Sequence, residues 1–533
     1  MDNSGLTGDV NSISLAAGDD QLTANSSGQT TIRVGEGTNQ INLDGGGTFS
    51  VSAGGGDDQV KILGLANSTL SLGNGNNTIL AQDGNHKITT GSGNDNITLG
   101  AGISTISSGD GDDSITITTT QNTNNYTINL GAGNDNLQLN GNGGELARVS
   151  SSSGNDQINI NNIRSQITLS SGDNTVNLNN SQLSGESNVI NTGAGNDMIA
   201  VKSNGSNTIN VGNGTNQITL SGNSSNTVTS GSGNDVIKSY AGSLTLNSGA
   251  GDDVLEITSN EAQDKLTLNL GDGNDTVKIT ATGAATTIAN NYGDDSYDLT
   301  GTQVKLSDTL GNMTLALNNQ QLTNDMNTIT TGTGNDNISI SSNGSNTINA
   351  GNGNNQIILS GNSKDNITSG SGDDVILAGA GDDIINAGAG NDIIVGGTGN
   401  DVLNGSSGND SYIFNKGDGA DIIQDTSGND VMKLGEGIKK EDLWFKKEGK
   451  DLSINNLTNQ DKMTVKNWYS GSTNKIEQIE LADGKHISNI SIDLLVQAMA
   501  TFDVKPMAET NFTAAQKDTL QNALANTWVD PTK

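Results

Sequence analysis

The chain has 533 residues with 59 acidic and 25 basic side chains, a formal net charge of −34; 31% of it is hydrophobic, 72 residues are glycine, 2 are proline and none is cysteine. A hydrophobic content below the usual figure of about 45–50% excludes a conventional large globular core, and the acid excess excludes nucleic-acid or anionic-membrane binding through bulk charge. Without cysteine there are no disulfides, thiolate metal sites or thiol nucleophiles, and no apolar run approaches the 18 or so residues of a spanning helix.

The opening Met1-Asp2-Asn3-Ser4-Gly5 has no basic segment followed by an apolar one, so a cleavable leader is not expected. Residues 1–410 hold 41 acids, 11 bases and 64 of the glycines, whereas residues 411–533 hold 18 acids, 14 bases and all three tryptophans. The first region is therefore an acidic, Gly/Asn-rich array and the second resembles an ordinary small domain.

From the N-terminus a Gly-rich turn recurs. Its acidic position falls at Asp20, Asn39, Asp58, Asn77, Asp95, Asp113, Asp135, Asp156, Asn174, Asp197, Asn216, Asp235, Asp253, Asp275, Asp295, Met313, Asp336, Asn355 and Asp374. A regular period of roughly 20 residues is the mark of a solenoid. Each coil has two turns: one carries the motif and the other is an Asn/Ser turn such as Asn204-Gly205-Ser206-Asn207. Residues 203–223 and 342–362 are near-copies, so the array has grown by duplication of blocks of seven coils.

Residues 369–413 then read as five tandem nine-residue units, with Asp374, Asp383, Asp392, Asp401 and Asp410 spaced by 9 and an apolar or aromatic residue two places after each. Glycine permits the tight turn, and a short x-U-x strand, with U apolar, points one side chain inward. Stacked coils give two parallel sheets around a thin aliphatic core. Stacked carboxylates about 5 Å apart repel one another, and a divalent cation between successive turns removes that repulsion.

The unit resembles the RTX nonapeptide G-G-x-G-x-D-x-U-x, whose parallel β-roll binds Ca²⁺. The resemblance implies that carboxylates and turn carbonyls hold calcium between coils, with Asp374, Asp392 and Asp410 on one edge, Asp383 and Asp401 on the other, and Gly372, Gly381, Gly390, Gly399 and Gly408 supplying the turn backbone. Calcium suits a site of mixed carboxylate and carbonyl oxygens. Asp95 with Asp113, and Asp235 with Asp253, keep the same-edge spacing of the tandem block and are further metal candidates; the Asn-bearing coils are expected to be metal-free.

Residues 411–486 resemble the module that follows RTX repeats in haemolysin-type calcium-binding proteins, in Tyr412-Ile413-Phe414, GDGADIIQD (417–425), DKMTVKNWY (461–469) and IEQIELADGK (476–485). Lys462–Lys466 and Ile476–Glu480 read as half-buried strands, and Trp444, Phe445, Trp468 and Tyr469 as core and cap residues. Ile490–Phe502 reads as an amphipathic helix, and Thr513-x-x-Gln516 as a capping box opening a second helix to about Asn526. This ending resembles the C-terminal export signal of type I secretion substrates.

The sequence thus predicts an all-β protein: a parallel β-roll or β-solenoid of about 18–20-residue coils, with residues 1–368 a degenerate repeat array, 369–413 the calcium-binding roll, 414–488 a β-rich cap and 489–533 a helical export segment. There is no H-E-x-x-H and no G-x-S-x-G, so zinc-protease and lipase chemistry lack their motifs. His86 is expected on the surface of a turn. The expected function is that of a secreted, non-enzymatic calcium-binding repeat protein, exported by type I secretion machinery and acting as a structural, adhesive or haemolysin-like module at a cell surface or on glycans. The alternative is the C-terminal secretion and folding portion of a larger lipase, protease or alginate epimerase.

Overall fold

The computed structural model describes residues 2–3, 8–119, 124–502 and 513–531. The chain divides into two units, residues 1–260 with 264–271, and residues 261–263 with 272–533. Each unit is a parallel β-solenoid in which successive short strands alternate between two sheets.

In the first unit, Gln40–Asp44 pairs in parallel with Gln21–Ser26 before it and with Gln59–Leu63 after it. In the second sheet Gln29–Arg33 pairs likewise with Thr48–Ser52. Alternation selects the strand: Ile41 and Leu43 point inward while Gln40 and Asp44 face solvent. Equal register stacks like on like, so Ile41, Val60, Ile79 and Ile97 form one file and Ile32, Val51, Leu70 and Ile88 another; all eight are at most 2% exposed. Most strands here have five or six residues with two or three inward positions. That is longer than the x-U-x strand expected from the motif. Three-residue strands occur in one sheet of the tandem block, at Val375–Leu377 and Ile393–Val395, while the facing strands Ile384–Ala389 and Val402–Ser407 have six residues.

The longer steps of the repeat leave the Asp-bearing turn unchanged. The surplus in the step from Asn174 to Asp197 lies between Thr175–Asn180 and Ser187–Asn191, on the opposite edge.

His86 is not on the surface. It is 2% exposed, in an inward position of the strand His86–Thr89, in register with Ser68 and Ser104. Its Nδ1 lies 2.9 Å from Ser68 Oγ and its Nε2 2.9 Å from the Gln82 carbonyl, and burial pushes its pKa down. A polar ring can take this place because both of its nitrogens are matched.

In the second unit, Gln356–Ser360, Val375–Leu377, Ile393–Val395, Ser411–Phe414, Val431–Leu434 and Gln478–Leu481 pair in sequence as one parallel sheet. Ile384–Ala389, Val402–Ser407, Ala420–Ser427 and Lys462–Val465 do so as the other. The parallel register therefore continues past residue 413 to a last rung made by Lys462–Val465 and Gln478–Leu481. Each half of that rung is covered by an antiparallel strand, Asp451–Asn456 and His486–Ser488 respectively, and reversal of direction ends the coil.

Helix α1, Asn489–Met499, starts at a Ser488 N-cap and buries Ile492, Leu495, Val496 and Met499. It stops short of the expected Phe502. Trp468, fully buried, donates its indole N–H to Asp493 Oδ1 at 2.9 Å, and Lys475 pairs with Asp493 Oδ2 at 2.7 Å. Trp444 meets Phe502 edge-on with ring centroids 6.2 Å apart. Helix α2 spans Ala514–Thr527. The remaining parts of the expected export segment, 503–512 and 532–533, lie outside the described residues. Among the described residues no helix is long and apolar enough to cross a membrane.

Candidate metal ladders

The repeated turn places one buried Asp or Asn per coil directly above its counterpart. Along each row the backbone N–H of one coil donates to the side-chain Oδ1 of the next wherever that residue is Asp or Asn and the pair is described, as from Asp20 to Asn39 and from Asn355 to Asp374. Asp374 N–H donates to Asp392 Oδ1, Asp392 N–H to Asp410 Oδ1 and Asp410 N–H to Asp430 Oδ1, all at 2.9 Å. On the opposite edge Asp365 N–H donates to Asp383 at 2.7 Å, Asp383 to Asp401 at 2.8 Å and Asp401 to Asp421 at 2.9 Å. The sequence-predicted residues thus fall on two edges, Asp374, Asp392 and Asp410 on one and Asp383 and Asp401 on the other. Gly372, Gly381, Gly390, Gly399 and Gly408 all have positive φ, from 122° to 154°.

The residue before each buried Asp makes a second ladder on the exposed side of the turn, running the other way: Asn391 N–H donates to Asp373 Oδ1 at 2.7 Å and Asn409 N–H to Asn391 Oδ1 at 2.9 Å. This accounts for the paired Asn-Asp and Asp-Asp dipeptides of the motif.

From Asp374 to Asp430 one oxygen of each buried ladder carboxylate is left over. The Oδ2 atoms of Asp374, Asp383, Asp392, Asp401, Asp410, Asp421 and Asp430 are buried and have no hydrogen-bond partner, and these residues are at most 2% exposed. Burial pushes all of them up, to about 7 for Asp383, Asp392 and Asp430, about 6 for Asp401 and about 8 for Asp421. After burial, the neighbouring charges of Asp410 and Asp374 act on Asp392, and those of Asp365 and Asp401 on Asp383. Asp374 and Asp410 are raised by burial as well.

The Asn coils display what closes the turn when no carboxylate is there. Asn39, Asn77, Asn174 and Asn355 accept in the same ladder through Oδ1. Each turns its Nδ2 to the carbonyl of the glycine two residues earlier: 3.0 Å to Gly37, 2.9 Å to Gly75, 2.8 Å to Gly172 and 3.0 Å to Gly353. In an Asp turn the amide nitrogen is replaced by an oxygen, so carboxylate and carbonyl face each other with no hydrogen between them. A hard cation is the group that such an oxygen pair accepts. Calcium fits the donor set; the Asp carboxylates and glycine carbonyls would hold it, and it would supply the positive charge that stacked carboxylates lack.

Upstream, Asp95 donates its N–H to Asp113 at 2.8 Å, Asp113 to Asp135 at 2.9 Å and Asp135 to Asp156 at 3.0 Å, a run of four carboxylates in which the Oδ2 atoms are again unpartnered. Burial pushes Asp113 up to about 6 and Asp135 to about 7. Asp235 N–H reaches Asp253 Oδ1 at 2.9 Å. Met313 breaks the ladder as an acceptor, although its N–H still donates to Asp336 Oδ1 at 2.8 Å.

Sequence reasoning missed Asp365, Asp421, Asp430 and Glu477. Asp421 and Asp430 lie further beyond Asp401 and Asp410 than two nonapeptides reach, so the period hid them, yet both keep the Asp-U-U pattern in Asp421-Ile422-Ile423 and Asp430-Val431-Met432. Glu477 ends the first edge by accepting the Asp430 N–H at 3.0 Å; nothing in the motif announces it.

The model for the RTX calcium-binding nonapeptide repeat matches residues 64–97, 89–116, 220–255, 359–394, 387–418 and 417–437. The chain carries RTX calcium-binding repeats. The model for the haemolysin-type calcium binding protein related domain matches residues 451–489, the stretch that forms the last rung and its antiparallel covers. The RTX matches include the Asp95–Asp113 and Asp235–Asp253 steps as well as both edges of the tandem block. They imply calcium binding by a β-solenoid repeat protein.

Proposed function

We propose that this chain is a secreted, non-enzymatic RTX protein whose solenoid folds on calcium outside the cell and then serves as an extracellular structural or adhesive element. The observation that carries the reading is the pair of carboxylate rows through the tandem block, each member with one buried oxygen lacking a partner. In this reading residues 1–368 are the repeat array, 369–413 the principal calcium roll, 414–488 the cap and 489–533 the export segment read by type I secretion machinery. The metal ligands are the carboxylates of Asp374, Asp383, Asp392, Asp401 and Asp410 with the carbonyls of their turn glycines, joined upstream by Asp95, Asp113, Asp235 and Asp253.

Calcium is scarce in cytosol and plentiful outside cells, so the same chain passes an exporter extended and stiffens on arrival, when binding to the folded form adds stability by mass action. Circular dichroism of the full chain in chelator and then in calcium tests the switch. A large gain of β signal on adding calcium is expected; a full signal in chelator, unchanged by calcium, overturns the reading. The surface role is tested by binding of the calcium-loaded protein to cells and glycan arrays, where uniform absence of binding would leave a purely structural role.

A further inference from the structure

The first edge ends in a site unlike the ladder steps before it. Asp410 and Asp430 are fully buried, each uses Oδ1 in the ladder, and each leaves Oδ2 without a partner. A third carboxylate, Asp425, reaches the same place from the other sheet, and oxygens of the three residues lie within 4.8 Å of one another.

Asp425 is out of the ordinary for its position. The inward file of the three preceding rungs runs Ser369, Ala387 and Gly405, none of them acidic, and Asp425 itself pairs with Ser406, the residue after Gly405. It stands where the pairing of Val402–Ser407 with Ala420–Ser427 shifts register and Ser406 takes φ 73°, an irregularity of the kind that re-aims side chains. Its Oδ1 accepts the Thr426 N–H at 2.6 Å and the Ser427 N–H at 3.3 Å. Its Oδ2 accepts the Tyr412 hydroxyl at 2.5 Å. That hydroxyl in turn accepts the Gly405 N–H at 2.8 Å, which fixes the phenol as donor and Asp425 as acceptor. Gly405 leaves the space: a Cβ there would come within 2.2 Å of Asp410 Oδ2 and 2.4 Å of the Tyr412 oxygen.

We propose that Asp410, Asp425 and Asp430 form a three-carboxylate calcium site at the junction of the roll and its cap. It carries one formal charge more than a ladder step of two carboxylates, and ligand charge is a main determinant of calcium affinity. It therefore fills first. The chain holds its own comparison. Asp295-Ser296-Tyr297 repeats Asp410-Ser411-Tyr412, and the Tyr297 hydroxyl donates to Asp308 Oδ2 at 3.1 Å as Tyr412 does to Asp425. The third member there is Met313, 1% exposed, whose thioether is no ligand for a hard cation. The second arrangement thus lacks the acid that completes the first.

The inference rests on the calcium reading of the repeats, and one experiment separates the two. Calcium chloride is titrated into the full chain by equilibrium dialysis, for the wild type, Asp425→Asn and Asp308→Asn. The wild type should bind one ion at least tenfold more tightly than the rest. Asp425→Asn should lose that tight ion and keep the ladder ions, while Asp308→Asn should match the wild type. Ladder uptake with the tight ion intact in Asp425→Asn overturns this inference alone; no uptake by the wild type overturns both. Should Asp425→Asn lack the native β signal, terbium(III) replaces calcium in the wild type and Tyr412→Phe. The first ion bound should give tyrosine-sensitised emission in the wild type that is lost in Tyr412→Phe; undiminished emission places the ion elsewhere and overturns the site.

Discussion

Asn355 and Asp374 sit on consecutive rungs of one ladder and differ by a single group, an amide nitrogen against a carboxylate oxygen. The nitrogen closes the turn on the Gly353 carbonyl; the oxygen leaves its turn open, buried and charged. Replacing one by the other therefore exchanges metal dependence for self-sufficiency. Asp392→Asn is expected to lose calcium uptake at the two steps that Asp392 shares with Asp374 and Asp410, while melting at a higher temperature than the wild type in chelator. Asp156→Asn, flanked by Asp135 on one side and Asn174 on the other, should lose less calcium. A lower melting temperature for metal-free Asp392→Asn would contradict the amide argument.

The same oxygens set the pH response. Asp392 is held at about 7 in the fold against an ordinary value of 3.8, by burial first and then by Asp410 and Asp374, and Asp383 likewise. A raised carboxyl means that the metal-free fold binds protons more tightly than the unfolded chain does. Its stabilising contribution is complete below about pH 4 and is lost as pH rises through about 7. In chelator the β signal should accordingly be stronger at about pH 5 than at about pH 8, and calcium should restore it at the higher pH. Equal signals at both values in chelator would mean that these carboxylates do not limit the metal-free fold.

At the scale of the turn, the close stacking of coils leaves no room for a side chain at the motif glycines. Gly390 has φ 141°, and a Cβ there would lie 2.0 Å from the Gly372 carbonyl oxygen. Gly390→Ala combines that collision with a strained backbone, which costs about 1–3 kcal/mol before the clash is counted. It should raise the calcium concentration needed for half-folding, read by circular dichroism; an unchanged midpoint would show that the coils can separate locally. The turn and the Asp spacing of 9 were legible in sequence because stacking forces every coil to repeat them. His86 was misread because Gly84-Asn85-His86 looks like turn sequence, whereas the register with Ser68 and Ser104 makes residue 86 an inward strand position. Asp425 was passed over because its partners, Tyr412 and Asp410, come from the other sheet, a contact that no one-dimensional period contains. The expected boundary at 413/414 marked the loss of the nonapeptide period, while parallel pairing runs on to the rung at 462–481.

Over the whole molecule, the uneven distribution of Asn and Asp divides labour along the chain. In the second unit the coil containing Ser345–Asn349 and Gln356–Ser360 has Asn346 on one edge and Asn355 on the other, and both amides reach the glycine carbonyl two residues back, Gly344 at 3.3 Å and Gly353 at 3.0 Å. The coil containing Ile384–Ala389 and Ile393–Val395 has Asp383 and Asp392 in those places, with both Oδ2 atoms unpartnered. The cores of the two coils are alike, Ile348 and Ile357 in one and Ile385 and Ile394 in the other, each at most 1% exposed, so apolar burial does not distinguish them. Carboxylate repulsion does, because a buried charge without a partner costs far more than a satisfied amide. Local stability should then follow the edge residues, in the way that repeat proteins sum neighbour terms. Hydrogen exchange of the full chain in chelator should find the amides of Gln356–Ser360 protected and those of Ile393–Val395 exchanging faster by tenfold or more, with calcium bringing the second set up to the first. Equal protection of the two coils in chelator would mean that the metal is not what holds the Asp coils closed, and the division of the array into self-closing and calcium-closed coils would fall.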